Sequence, residues 1–189
     1  MDSQTKHDLP EDRDGFRFRG GHVALDLAAT LAARRKDPPR ELLDGPADLN
    51  RWLISSGLAG QAPRATEADV GMARELREAI YDLASGHPSS AARTTLNAVA
   101  ALRAARPKLS ASGHLVMEGS AREYLATIAG LAIDLFGSTE RERIRQCEGE
   151  GCAILFLDLS RSGERRWCSM SDCGNRAKAR AFRQRKRRN

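Results

Sequence analysis

The clearest chemistry in this 189-residue chain lies in four cysteines near its C-terminus. Four residues separate Cys147 from Cys152, four separate Cys168 from Cys173, and 15 lie between the pairs. Two short cysteine pairs around a loop of this length are the layout of a tetrahedral four-thiolate zinc site. Four thiolates close the shell, so no water is activated and a single Zn2+ there is structural, not catalytic. The same cysteines could form two disulfides, or be unrelated buried thiols. A reducing compartment argues against the first, and clustering within 27 residues argues against the second. Gly149, Gly151 and Gly174 give the backbone freedom to bend around a metal.

Behind the cysteines stands a run of cations without an acid: Arg176, Lys178, Arg180, Arg183, Arg185, Lys186, Arg187 and Arg188. Asn175 is placed to N-cap a helix from Arg176 to about Lys186, with Ala179 and Phe182 as a narrow apolar stripe against the cysteine-bearing hairpin. Such a helix repels itself and gains when phosphates replace its counterions. Arginine forks also read guanine edges. The expected partner is duplex DNA, with Arg176, Lys178, Arg180, Arg183, Arg185, Lys186 and Arg187 as contacts. A zinc-stabilised RNA-binding or protein-interaction module, and a tail that only aids solubility, are the competing readings.

The rest of the chain offers less. His22, Asp26, Thr30 and Arg34 lie four apart, so on a helix they form one polar stripe. It is either a solvated face or a seam in which His22, Asp26 and Thr30 line a small-molecule effector pocket or a helix interface. His87, before Pro88, reads as a turn residue, and His7 and His114 lack partners at metal spacing. There is no Gly-rich phosphate loop, nucleophile elbow or H-E-x-x-H, so the chain reads as a non-enzyme.

Mostly helical elements precede the cysteines. Val23, Leu27 and Leu31 recur every four residues and predict a helix stopped by Pro38–Pro39. Pro46 and Asp48 open a second, with Leu49, Trp52 and Leu53 inward and Gly57 as C-cap. Thr66 and Asp69 form a capping box before Met72, Leu76, Ile80 and Leu83. Leu96, Val99 and Leu102 mark a fourth helix ended by Pro107, Leu109–Met117 a short hairpin around Ser112–Gly113, and Tyr124, Ile128, Leu131 and Leu135 a fifth helix. Thr139 and Glu142 cap a short helix leading to the cysteines. Between the pairs, Ile154–Leu159 reads as a strand, with a turn at Ser160–Gly163 and a return strand from Arg165 to Trp167. Phe156 and Trp167 are expected as that small module's core. The fold class is therefore mainly α: a helical N-terminal domain followed by a small zinc-ribbon-like ββα module.

Charge divides the chain at the same place. Residues 141–189 carry 14 Lys+Arg against 6 Asp+Glu, whereas residues 1–140 carry 17 against 19. The whole chain's net charge of +6 is thus a local property of the C-terminal part. The predicted organisation is a flexible terminus over residues 1–14, a helical domain over 15–138 and the zinc module over 139–189. The acidic start excludes a secretory signal, and the longest greasy stretch, Tyr124–Gly137, is too short to cross a membrane. Both point to a cytoplasmic protein. Arginine outnumbers lysine by 26 to 5, a hint of a GC-rich bacterial genome.

The residues from Cys147 through Phe156–Arg161 and Arg165–Met170 to Cys173–Gly174–Asn175–Arg176–Ala177–Lys178 resemble the CGNR zinc finger, named for the four residues at 173–176. The resemblance implies Cys147, Cys152, Cys168 and Cys173 as metal ligands and DNA binding in bacterial regulators. Gly21–Thr30, Ala47–Leu58 and Leu76–Leu83 resemble the ABATE domain, which implies a stress-induced regulator of transcription. The chain departs from that pattern at Ala29–Thr30, where the family often has Asn-Thr. On this resemblance the helical domain would sense a signal or form a homodimer.

Overall fold

The computed structural model describes residues 11–86 and 89–188. Residues 1–10 of the expected flexible terminus, with His7, and the His87–Pro88 turn lie outside them. The elements in chain order are β1 (Asp12–Arg13), β2 (Phe16–Arg17), α1 (Val23–Ala28), β3 (Leu31–Ala32), β4 (Arg40–Glu41), α2 (Pro46–Ser55), α3 (Glu67–Ala84), α4 (Ser90–Ala100), β5 (Arg106–Leu109), β6 (Leu115–Glu118), α5 (Ala121–Gly137), β7 (Ile144–Gln146), β8 (Leu155–Leu157) and α6 (Asn175–Arg188). A 3-10 turn at Thr139–Arg143 precedes β7, and a π-turn at Met170–Gly174 leads into α6. The strands pair as four antiparallel two-stranded hairpins. The chain is mainly helical with a small cysteine-bearing module at its end, as its sequence predicts.

Amphipathic spacing explains the body. Leu49, Trp52 and Leu53 of α2, Val70, Leu76 and Ile80 of α3, Leu96 of α4, and Leu125, Ile128 and Ala132 of α5 bury one shared core. Thr66 and Asp69 form the expected capping box on α3, and Ser120 with Glu123 forms another on α5. No helix among the described residues is long and apolar enough to cross a membrane.

Several elements differ from expectation, each because a tertiary contact overrides local spacing. Helix α1 is six residues long and stops at Ala29, well before Pro38. The Thr30 hydroxyl donates to the Leu27 carbonyl at 2.7 Å, and Leu31–Ala32 then pairs with Arg40–Glu41. Helix α4 ends at Ala100, not at Pro107, which instead lies in β5. The Ala105 N–H donates to the Glu123 carbonyl and to Thr127 Oγ1, drawing the chain out of the helix towards α5. Ser138, rather than Thr139, caps the 3-10 turn. Asp12–Arg13, inside the segment expected to be flexible, pairs with Phe16–Arg17.

The hairpin of the C-terminal module also differs. Leu155–Leu157 pairs with Ile144–Gln146, ahead of the first cysteine, and not with Arg165–Trp167. The returning segment is held by one backbone bond, from the Glu148 N–H to the Arg166 carbonyl, and by a side chain. The buried Asp158 carboxylate accepts the Arg165 N–H at 2.8 Å and the Ser160 N–H at 2.9 Å.

Strand alternation gives β8 two jobs, because successive side chains point to opposite faces. Phe156 joins the four cysteines, Ile154 and Ala29 on one face. Leu155 and Leu157 join Leu25 of α1 and Leu135 of α5 on the other. A second seam is polar. Arg34 pairs with Glu78 at 2.7 Å and lies over the Tyr81 ring, whose hydroxyl accepts from Gln146. The cysteine-bearing segment is thus built into the wall of the helical body.

Candidate metal centre and basic helix

The structure brings Cys147, Cys152, Cys168 and Cys173 together, all buried, with every sulfur within 4.8 Å of the others. Cys152–Cys168 and Cys168–Cys173 are 3.9 and 3.8 Å apart. A tetrahedron with zinc–sulfur bonds of about 2.3 Å has sulfur–sulfur edges of about 3.8 Å, so the cage has the size of a zinc site. None of the four is disulfide-bonded, since a bonded pair sits at about 2.05 Å.

Backbone geometry makes the cage. The Cys147 N–H donates to the Ile154 carbonyl, which continues the β7–β8 ladder, and the Cys152 N–H closes a turn onto Gly149. Gly151 sits at φ +68°, a conformation glycine adopts without strain. Gly149 is needed for space: a Cβ there would lie 2.9 Å from Cys173 Sγ and 3.3 Å from Cys147 Sγ. Gly149→Ala is expected to weaken zinc affinity by tenfold or more, measured by competition with a chromogenic chelator. Gly60→Ala, where a Cβ meets open space, is the control.

Donors surround the sulfurs and favour negative charge. Cys147 Sγ accepts the N–H groups of Gly149 at 3.4 Å and Cys168 at 3.3 Å. Cys173 Sγ accepts from the Arg176 guanidinium at 3.1 Å. Hydrogen bonds from the Cys152 and Cys168 thiols hold the Cys147 thiol well below its usual range. The same contact with Cys147 pushes Cys152 up to about 11 and Cys168 higher. One thiolate holding its neighbours' protons is a poor arrangement for four buried sulfurs, and a divalent cation replaces those protons. The donor set, spacing and burial fit one structural zinc.

Asp158 secures the loop between the pairs. Hydrogen bonding from Ser160 and from the Arg165 N–H lowers its pKa to about 2. A depressed carboxylate contributes stability fully above its unfolded pKa of about 4. That contribution is lost as pH falls from there through about 2. Asp158→Asn is expected to cost about 1–3 kcal/mol at neutral pH, read by denaturant melts, and to flatten this acid-side dependence.

The basic residues are not equivalent. Helix α6 makes its main element contact with its own preceding turn, and Ala179 and Phe182, expected against the hairpin, are exposed. The strand pairing of β8 with β7 leaves that surface no hairpin to meet. Asn175 is itself helical, and its side chain donates to the Ser171 carbonyl instead of capping. Arg176 turns back to Cys173 Sγ and to Asp172, 3.2 Å away. Its pKa is raised, first by the Cys173 hydrogen bond. Arg180 pairs with Glu150. Lys178, Arg183, Arg185, Lys186 and Arg187 are exposed and make no ion pair among the described residues.

The expected polar stripe is taken up by the fold. Asp26 and Thr30 are buried, so the stripe is not a solvated face. Asp26 accepts the Gly20 N–H at 2.7 Å, Thr30 bonds Leu27, and His22 caps α1 through Nδ1. None of the three lines the cavity that opens beside this helix.

Sequence reasoning missed Arg19. Its side chain is 5% exposed and touches three carboxylates: Glu11 at 3.7 Å, Asp12 at 2.5 Å and Asp172 at 2.5 Å. Asp172 also holds Arg176, so Arg19, Asp172, Arg176 and Cys173 form one chain of contacts from the helical body to the metal cage. An Arg before Gly20–Gly21 carried no periodic signal that could have singled it out.

The family model ABATE, described as "putative stress-induced transcription regulator", matches residues 21–139. The CGNR zinc finger model matches residues 143–186. No curated protein matches the chain.

Proposed function

The chain belongs to the ABATE family, and from that premise we propose that it is a DNA-binding regulator of transcription whose zinc module docks on duplex DNA. In this reading residues 15–138 form the regulatory body and residues 139–189 the DNA-contacting module. One observation carries it: from Lys178 to Arg187 α6 is exposed with cations on all sides, while its base is tied to the zinc cage through Arg176 and Cys173. A charged helix in water gains nothing from that exposure, whereas phosphates gain it both counterion release and a fixed direction.

Lys178, Arg183, Arg185, Lys186 and Arg187 are the proposed contacts. Arg176 orients the helix, and Arg180 joins them only by leaving Glu150. Neither matched family is described as an enzyme, and a closed cysteine shell supplies no activated water. A cytoplasmic location and a homodimer fit the reading.

A salt titration of duplex binding tests it. About five phosphate contacts give a log–log slope near −4.5, and Arg183→Gln with Arg185→Gln is expected to reduce it by about 2. Salt-independent binding would sink the proposal. Competition by duplex RNA at equal strength would transfer it to an RNA-binding module.

A further inference from the structure

A cavity of about 270 Å³ opens where the helical body meets the cysteine-bearing loops. We propose that it binds a small anionic effector, a carboxylate or phosphate monoester carrying a compact apolar group. The site adjoins the zinc cage, whose ligand Cys152 lines it, and lies apart from the exposed face of α6.

Three segments build the cavity: β2, the chain from Ala28 through Lys36 with Arg40, and the loop at 150–154 with the first turn of α6. Its buried lining is Ala28, Ala29, Ala153 and Ile154 at the bottom, beside the zinc ligand Cys152. Its walls carry four cations, Arg17, Lys36, Arg40 and Arg176, against one carboxylate, Glu150, which is already paired with Arg180. Lys36 and Arg40 make no ion pair with a carboxylate among the described residues, whereas the charge of Arg17 acts on Asp172. Elsewhere in the same body Arg19, Arg34, Arg51, Arg74 and Arg77 are each ion-paired.

A concave site with an excess of one sign of charge and low-dielectric walls concentrates counter-ions. The volume falls just below the range of about 300–1,000 Å³ that holds drug-sized ligands, so the occupant is smaller than those. The apolar bottom sets the cavity apart from a track for a nucleic-acid backbone, which needs only exposed cations. An aliphatic or aromatic group on the alanines, with its anion among the arginines, satisfies both parts of the lining.

The placement also has a consequence for α6. Arg176 lines the cavity and touches both Cys173 Sγ and Asp172. An anion held between Arg176 on one wall and Arg17 and Arg40 on the other adds a second tie between the base of α6 and the helical body, beside the Arg176–Asp172–Arg19 contacts. Occupancy therefore biases the direction of the basic helix.

Calorimetric titration of the zinc-loaded full chain, at constant ionic strength and without DNA, tests the site apart from the DNA reading. The probes are benzoate, phenyl phosphate and inorganic phosphate. Saturable one-to-one binding of benzoate or phenyl phosphate is expected, with inorganic phosphate at least tenfold weaker. Lys36→Gln with Arg40→Gln, both at exposed positions, is expected to weaken binding tenfold or more. Arg183→Gln with Arg185→Gln is expected to leave it unchanged. Absence of saturable binding by every probe overturns the proposal. So does inorganic phosphate binding as tightly as phenyl phosphate, or loss of binding in the Arg183/Arg185 variant instead.

Discussion

Stripping the zinc, or replacing a ligand as in Cys152→Ser, is expected to unfold the C-terminal module and to destabilise the helical body with it. Structural zinc sites in small modules are worth about 10–16 kcal/mol of apparent folding free energy, far more than the Glu148–Arg166 contacts that also join the two cysteine turns. The wider effect follows from β8. When the cage opens, Phe156 loses its cysteine neighbours, and the strand releases Leu155 and Leu157 from Leu25 and Leu135. Removing two buried leucines from a shared core costs about 4 kcal/mol or more. For a chain of this size that is a fall of roughly 10 °C in the body's melting temperature. Calorimetry with and without chelator, alongside metal analysis, measures it. One mole of zinc per chain and a lowered body transition are expected. A body transition that ignores the chelator would show that β8 contributes nothing to the helical core.

Arg19→Met is expected to cost about 3 kcal/mol, the second-largest single effect. Removing one member of a buried ionic cluster leaves the others uncompensated, which typically costs 3–5 kcal/mol. The partial exposure of Asp12 and Asp172 places this case at the low end. Burial alone would lower the Arg19 pKa, yet hydrogen bonds with Asp172 and Asp12 outweigh it and the pKa is raised. Its hydrogen bond in turn holds the Asp172 carboxyl below its usual range. A depressed carboxylate stabilises the fold above its unfolded pKa, about 4, and stops doing so as pH falls below that. The Arg19→Met variant should therefore lose part of the acid sensitivity of the parent, seen as converging denaturant midpoints towards pH 3. Arg19→Lys is expected to recover only part of the loss, because an ammonium cannot fork between Asp12 and Asp172. The same substitution should loosen Arg176 and, in the proposed function, lower duplex affinity without touching any exposed cation of α6.

How far each feature could be read in advance depended on whether its cause was local. The cysteine spacing identified the metal and its closed shell, since four thiolates on two short turns leave little other chemistry. Capping residues Thr66 and Asp69, the apolar periods of α2, α3 and α5, and the Ser112–Gly113 turn act within a few residues and appeared where expected. The division of charge was likewise a property of composition, and it located the basic helix.

Other features had causes distant in the chain. Val23, Leu27 and Leu31 have helical spacing, but pairing with Arg40–Glu41 ends α1 at Ala29. The apolar run at 154–157 suggested a strand, and only the fold revealed that its alternate side chains serve two different cores. Ala179 and Phe182 promised a packed helix, yet both are exposed. Sequence by itself thus determined the zinc chemistry, the mainly helical class and the position of the excess charge, because spacing, capping and composition are encoded within single turns. Tertiary structure decided which cations are spent on the fold and which remain exposed. Ion pairs such as Arg19–Asp172, across 153 residues, exist only when the chain has brought both ends together.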